Sequence, residues 1–444
     1  MMTDANNMLD AKNAHELNKN SGLKAIGSWA LEYIVTIIFV LFVLLGFAVS
    51  KDVSLNYFFS ELNSRVFRNA FLVLSLIIPV LAGLGLNFGI VIGAMSGQTA
   101  VAIARYYGLG GVSALLLCSV MSFFFAGLCG YFTGKLYNKT RGQEMIASLI
   151  VGYFANGIYQ FLFLFVVGVI IKVPATHPMI KPDGIGIRMT VDLMPVNKGG
   201  LKYALDNVYK IPFMHALLIL ALAILLVLAI RYWQNIRRGH AHKNRPMTFA
   251  FNILMCLVIA GISAHAIITK SSLMMIPKVP VVTGLLIIGL CFFTEWIMKT
   301  KLGQDFRSVG QSQHIAEVSG INVDRTRIIA TMISTILASW GQLIYLQNMG
   351  TLNTYNAHTQ IGLFSVAALL VGGASTSRAS IKNALFGTIL FNAMFIMSPE
   401  IGKSLFGQPA LGEYFRTFMV YGVIGLALGL YVWKANKKNK IVIE

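Results

Sequence analysis

The chain has 444 residues, of which 56% are hydrophobic and only 12% charged, with a formal net charge of +19 and a mean hydropathy of +0.70. A water-soluble domain of this length needs far more surface charge, so the composition is that of an all-α, polytopic membrane protein. The basic residues cluster in short loops between apolar spans, a distribution that fits lipid headgroups and membrane orientation and speaks against nucleic acid as a partner.

In chain order, residues 1–28 form a polar lead rich in Asn, Asp, Lys and Ala, expected to be a cytoplasmic tail without chemistry. Trp29 to Ala48 is the first apolar run, with Trp29 and Tyr33 as interfacial anchors. It follows a long polar lead and precedes no small-residue cleavage site, so it is expected to stay as a transmembrane helix. The apolar run from Ala70 to Tyr107 is too long for one helix across a core of about 30 Å and must break, at Gly83 to Gly89. Gly85, Gly89, Gly93 and Gly97 then recur every four residues, a ridge whose first expected role is a helix-packing seam. Beside it Asn87, Ser96 and Gln98 are uncharged hydrogen-bonding groups in an apolar setting, and a broken helix bearing them is a pathway candidate.

Gly111 to Leu136 and Glu144 to Ile171 are the next spans; Asn156 and Gln160 share a face of the second, and Glu144 suits its N-terminus. Residues 173–211, with Pro174, Pro178, Pro182 and Pro195, read as a long extracytoplasmic loop. Phe213 to Ile230 leads into Arg231, Arg237, Arg238, His240, His242, Lys243 and Arg245 with no acidic residue, the strongest inside marker in the chain. The two histidines there are unsuited to a metal, because the cations around them repel one. Phe249 to Ile268 and Val281 to Met298 follow, then a polar island, 299–327, then Ile328 to Leu346, Gly362 to Ser375, Ala384 to Met397 and Gly412 to Trp433. A basic tail, 434–444, closes the chain. The expectation is a permease-like domain over 29–433 with about 10–12 transmembrane or half-membrane helices and both termini cytoplasmic.

The polar island is unlike the rest. Phe306, Val309, Ile315 and Val318 follow a short amphipathic helical pattern, and Gly320 stands where a helix ends in a left-handed residue, with Ile321 after it. By spacing alone this is a solvated loop or a short surface helix. Its wording, Gly303, Val309-Gly310, Ala316 and Ser319-Gly320-Ile321 before an apolar span, resembles the cytoplasmic loop of permease subunits of ABC importers, the class of ribose-type and branched-chain amino-acid-type permeases. Val371-Gly-Gly-Ala-Ser375 with Phe386-Gly-Thr388, and the glycines from Gly85 to Gly97, are similar to the glycine-rich motifs of that family. This chain departs from the family in having Glu317 where a basic residue is usual, and Ser377-Arg378-Ala379 after the Gly-Gly motif.

The resemblance implies a coupling helix that docks on a separate cytoplasmic ABC ATPase, through Gly303, Phe306, Arg307, Val309, Gly310, Ile315, Ala316, Val318 and Gly320. It also implies a second permease copy or paralogue, an extracytoplasmic substrate-binding protein and a bacterial inner-membrane location. Simple sugars or nucleosides come first as substrates, then branched-chain amino acids. The pathway residues suggested by polarity are Asn87, Gln98, Asn156, Gln160 and Gln342, whose amides can bond hydroxyl-rich solutes.

Enzymatic chemistry is not expected, and no catalytic or metal-binding residue stands out. Cys118, Cys129, Cys256 and Cys291 all lie in apolar runs without ligand spacing. Gly402-Lys403-Ser404 ends like a P-loop, but Met397 stands where the first glycine belongs, so ATP and magnesium are expected in the partner ATPase and no cofactor in this chain. Ionisable residues are sparse inside the spans, which favours energy supplied by a partner over a proton- or sodium-coupled carrier. The alternative is a secondary transporter or channel for a small uncharged or zwitterionic solute.

Overall fold

In hydrocarbon a backbone must satisfy its own hydrogen bonds, and helices do so within one segment. The computed structural model describes residues 34–50, 53–174, 176–194, 200–237 and 246–441, and these are almost entirely helical. Trp29, Tyr33, His240 and His242 lie outside the described residues. Among the described residues seven helices are long and apolar enough to cross a membrane, and three shorter apolar ones accompany them, Ile34–Val49, Asn252–Ile268 and Ile361–Val371. The last has 11 residues and so extends about 16 Å, half the thickness of a hydrocarbon core.

The described residues fall into two compact units, one within Asp52–Ser365 and one formed by the ends, within Met1–Lys51 and Val366–Glu444. The smaller contains α1 (Ile34–Val49), the end of α13 (Ile361–Val371), α14 (Ile381–Phe406) and α15 (Pro409–Ile441). There α14 packs between α1 and α15. Glycines make these contacts close: a Cβ on Gly46 would lie 2.8 Å from Met397 Cε, and Gly412 rests on the Ser398 carbonyl beside Pro399. Pro399 cannot donate to the preceding turn of α14, so the backbone there is open to such an approach. Gly372 and Gly387 bring the α13 terminus directly onto α14, and Ser375 Oγ closes the following turn by accepting from the N–H groups of Ser377 (3.4 Å) and Arg378 (3.1 Å). Gly402, Lys403 and Ser404, expected in a loop, continue α14, and α15 carries helix through the expected basic tail to Ile441.

The larger unit holds α2 (Leu55–Leu74), α3 (Ile77–Leu81), α4 (Ile90–Tyr106), α5 (Gly111–Lys139), α6 (Glu144–Phe161), α7 (Phe213–Arg237), α8 (Pro246–Ile268), α9 (Val281–Lys299), α10 (Lys301–Gln311), α11 (Gln313–Val318) and α12 (Val323–Met349). The predicted break is present: α3 ends at Leu81, Gly83 (φ +75°) and Gly85 (φ +68°) take the left-handed turn, and α4 starts at Ile90. Helix α12 is the post of this unit, packed on α5, α4 and α2. The ridge permits it, with Gly93 seated on the Thr335 carbonyl and a Cβ on Gly97 only 2.7 Å from the Ser339 carbonyl. From the other side a Cβ on Gly130 or Gly134 of α5 would lie 3.0 Å from Met332 Cα or 2.9 Å from Ile328 Cα of α12. The hydroxyls of α12 satisfy themselves on its own turns or on neighbours: Thr331 donates to the Arg327 carbonyl (2.9 Å), Thr335 to that of Thr331 (2.8 Å) and Ser334 to that of Ser75 (2.9 Å). By contrast α7 turns Ile219, Leu220, Leu222 and Leu226 outward, as a lipid-facing helix would.

The described part of the polar connection after α6 carries short strands and buried side chains. Antiparallel strands β1 (Thr190–Asp192) with β4 (Thr351–Asn353), and β2 (Lys210–Ile211) with β3 (Val279–Pro280), tie it to the ends of α12 and α9. Met179, Ile180, Ile187, Leu193 and Leu201 are buried with Leu346 and Leu352 in one apolar cluster. Asp206 anchors the connection, accepting from Thr283 Oγ1 (2.6 Å), Gln347 Nε2 (2.9 Å) and Asn348 Nδ2 (2.8 Å).

Because the α4–α12 seam has no room for a side chain, Gly93→Val is expected to destabilise the protein by about 1–3 kcal/mol, whereas Gly157→Ala, at an open position, is expected to be neutral or slightly stabilising. Thermal unfolding of the purified variants in detergent measures both.

Candidate functional site

Two groups of residues stand out. The first is the polar island, which folds as a helix pair. Thr300 caps α10, its hydroxyl accepting from Gly303 N (3.4 Å), and Gly303, Phe306 and Val309 follow three residues apart on the buried face. Ser312, in extended conformation, ends α10 and caps α11 by accepting from Ile315 N (3.3 Å). Gly320 (φ +81°) closes α11, with Ile321 N donating to the Ala316 carbonyl (3.0 Å). Asn322 then caps α12 through Arg325 N (2.9 Å). Where one helix is predicted over 306–318, two form, because Ser312 bonds the backbone better as a cap than as a mid-helix residue.

The pair is fastened to the break between α3 and α4. A Cβ on Gly83 would lie 2.8 Å from Gly310 Cα, and one on Gly310 would strike the Leu81 carbonyl. Val309, Ala316 and Val323 bury together against Ile321. The nine residues proposed from sequence therefore divide in two. Gly303, Phe306, Val309 and Ala316 are buried and Gly310 half-buried, while Arg307, Ile315, Val318 and Gly320 face outward. Ile315 is 67% and Val318 77% exposed, two large apolar side chains on an otherwise polar helix.

The sequence reading missed the charges that hold this pair. Arg327, in the second turn of α12, is fully buried. Its guanidinium donates to Glu144 Oε1 (2.5 Å), the Tyr137 carbonyl (3.2 Å) and Gln313 Oε1 (3.4 Å). Glu144, expected as a helix-start residue, holds that position as well, accepting from Gly142 N (3.0 Å). Nearer the surface Arg141 donates to Asp324 Oδ1 (2.6 Å) and Glu317 Oε1 (3.0 Å). Those two carboxylates, Asp324 foremost, raise the Arg141 guanidinium above its ordinary value. The available signal was Arg327 standing directly before the apolar span from Ile328, where a charge that becomes buried is too costly to leave unpaired.

The second group is the polar residues of the spans. Asn156 and Gln160 do come together: Asn156 Oδ1 accepts from Gln160 Nε2 (3.4 Å) and lies 2.7 Å from His358 Nε2. The His358 ring packs edge-on to Tyr159, which stacks on Phe163 at 4.4 Å. Asn156 also lines a small, open cleft together with Phe88, Val91, Leu149, Gly152, Tyr153, Thr359, Gly362 and Leu363. Asn87 is buried in the turn before α4, where its Oδ1 accepts from Gly89 N and Tyr137 Oη, both at 3.0 Å. Gln98 is buried on α4 with Nε2 donating to the Asn353 carbonyl (3.4 Å). Gln342 is buried on α12, and among the described residues neither end of its amide has a hydrogen-bond partner. No hydrogen bond joins these three to the Asn156 group among the described residues.

Burial pushes the His358 imidazole down to about 4 from 6.5, so the fold holds its neutral form. The stability that depends on this neutral ring is complete above pH 6.5 and lost as pH falls towards 4. His358→Gln, which keeps a donor near the Nε2 position, is expected to flatten the acid-side fall of the unfolding temperature. A second expectation concerns the buried pair: Arg327→Met alone strands Glu144 and costs roughly 3–5 kcal/mol, whereas Arg327→Met with Glu144→Leu costs less than either single change. Thermal unfolding of the three variants checks it.

Comparison with known proteins adds identity to this geometry. The family described as branched-chain amino acid transport system / permease component matches residues 202–425. The xylose transport system permease protein XylH of Haemophilus influenzae is 32% identical over 141 residues, which is 32% of this chain and 35% of that protein. The nucleoside ABC transporter permease protein NupC of Lactococcus lactis is 28% identical over 175 residues, 34% of this chain and 52% of the relative. The ribose import permease protein RbsC of Escherichia coli is 29% identical over 148 residues, covering 33% and 44%. The matched stretch thus spans between about a third and a half of the length of these curated relatives. No solved structure matches the chain significantly.

Proposed function

This chain belongs to the permease-component family of branched-chain amino acid transport systems, and from that premise we propose that it is the transmembrane subunit of a bacterial ABC importer for a simple sugar or nucleoside. It is a multi-pass protein of the inner membrane and a transport subunit. In this reading a separate ATPase binds ATP and magnesium, a second permease copy or paralogue completes the pathway, and an external binding protein delivers the solute. Both termini and the α10–α11 pair face the cytoplasm.

The observation that carries the reading is the outward apolar pair Ile315 and Val318 on α11, 67% and 77% exposed, beside the exposed polar residues His314 and Glu317. Two such side chains on a rigid, capped helix are knobs for a groove on another protein. The inner face of the same pair, Phe306 and Val309, belongs to this chain's own packing. A push on α11 is thereby delivered through Gly310 and Gly83 to the start of α4. Sugars or nucleosides come ahead of branched-chain amino acids because the named relatives are xylose, nucleoside and ribose permeases, and because carboxamides such as those of Asn156 and Gln160 match hydroxyl groups.

Ile315→Asp with Val318→Asp is expected to abolish co-purification of the ATPase while leaving the variant folded. Alanine at Phe306 or Val309 instead lowers stability, because both are buried. Pull-down of the detergent-solubilised protein with unfolding curves separates the two effects. If the unaltered chain brings down no ATPase, the importer reading fails and ion-driven uptake becomes the assay. Asn156→Leu, which removes the amide but keeps the size, is expected to reduce sugar or nucleoside uptake roughly 2–10-fold, the worth of one lost hydrogen bond.

A further inference from the structure

Two ion pairs meet at the turn between α5 and α6, residues 140–143, and a third stands beside it at Glu144. Arg141 spreads its planar fork over two carboxylates from different elements, Glu317 of α11 at 3.0 Å and Asp324 at the start of α12 at 2.6 Å. Asn138, at the end of α5, adds a bond from Nδ2 to the Asp324 carbonyl (2.9 Å). Beneath this layer Glu144, the first residue of α6, holds the fully buried Arg327, whose guanidinium also reaches Gln313 of α11. The two layers differ in kind. The inner pair is shut off from water and fixed on several sides, so its geometry does not change without unfolding the site. All three partners of the outer bridge are about half-exposed, so it adds little to stability and can move together with α11.

From these contacts we infer that the α5–α6 turn is a second arm of the coupling element: the bridge Glu317–Arg141–Asp324 passes a displacement of α11 into α6, with the buried Arg327–Glu144 pair as the fixed point about which it acts. This rests on the importer reading, and it deepens that reading by naming a route from the docking surface to the pathway. Helix α6 is the element that carries Asn156 and Gln160. Those amides stand about 18–24 Å along the helix from Glu144, so a small rotation at the turn is delivered to them by a rigid rod. Arg141, Glu317 and Asp324 are positioning residues that contact neither solute nor nucleotide. Arginine is required at 141 because lysine has no planar fork to hold two carboxylates at once.

The test uses the complete transporter, the chain with its ATPase and binding protein, reconstituted in vesicles with radiolabelled sugar or nucleoside. The readout is solute imported per ATP hydrolysed. Arg141→Gln is expected to keep the ATPase bound and hydrolysing while the ratio falls roughly fivefold or more, the scale of an ordinary coupling between sites. Arg141→Lys is expected to lie between the two. Arg141→Glu with Glu317→Arg restores one of the two bridges and is expected to recover part of what Arg141→Glu alone loses. A ratio unchanged in Arg141→Gln, or a swapped pair no better than Arg141→Glu, overturns the inference.

Failure of the importer reading shows itself separately, as an unaltered chain that recruits no ATPase. The link can then be judged on the purified chain in detergent by hydrogen exchange. Glu317→Gln, a change on α11, is expected to speed exchange at the amides of 141–147. Unchanged exchange there overturns the link whatever the chain transports.

Discussion

The larger unit depends on the close approach of backbones to α12. Lipid offers no hydrophobic drive for one apolar helix to leave it for another, so helices associate through contact area, and contact area is greatest where no side chain intervenes. Gly93 and Gly97 bring α4 against the carbonyls of Thr335 and Ser339, while Gly130 and Gly134 bring α5 against Met332 and Ile328. With both flanks closed, the hydroxyls of α12 have no water and bond to their own helix or to Ser75 across the seam. The same closure accounts for Arg327. It stands where α12 leaves the packed interior, and its charge is tolerable because Glu144 and the Tyr137 carbonyl meet it there.

That arrangement gives the helix pair α10–α11 a definite seat. It hangs between α9 and α12 by caps at Thr300, Ser312 and Asn322, rests on the α3–α4 break through Gly310 and Gly83, and is pinned by Arg141 and Arg327. A short helix so held moves as a piece. Glu317 shows how the charge departure from the family pattern is accommodated: its carboxylate is taken up by Arg141 of the same chain.

The polar amides of the spans also divide, between those closed inside the packing and one that lines a cleft. Asn87 is taken up with its own turn and Tyr137, and Gln98 with the strand at Asn353. Asn156 instead lines a cleft, with Gln160 and the buried His358 bonded to it. An amide beside a cleft can exchange partners with a passing hydroxyl at small cost, which an amide closed inside a turn cannot.

Sequence by itself determined the class and the places where glycine must break or close a helix, because hydropathy, glycine spacing and capping are local properties read within a turn or two. It located the polar island and the end of α11 at Gly320 for the same reason. Only the tertiary structure decided which of the nine island residues face outward, since Ile315 and Phe306 are equally apolar in the sequence and differ only in what packs over them. Only it revealed the pairing of Arg327 with Glu144 and of Arg141 with Glu317, partners 183 and 176 residues apart. It likewise separated Asn87 from Asn156. A charge or an amide acquires its role from the group opposite it, and that group is chosen by the fold.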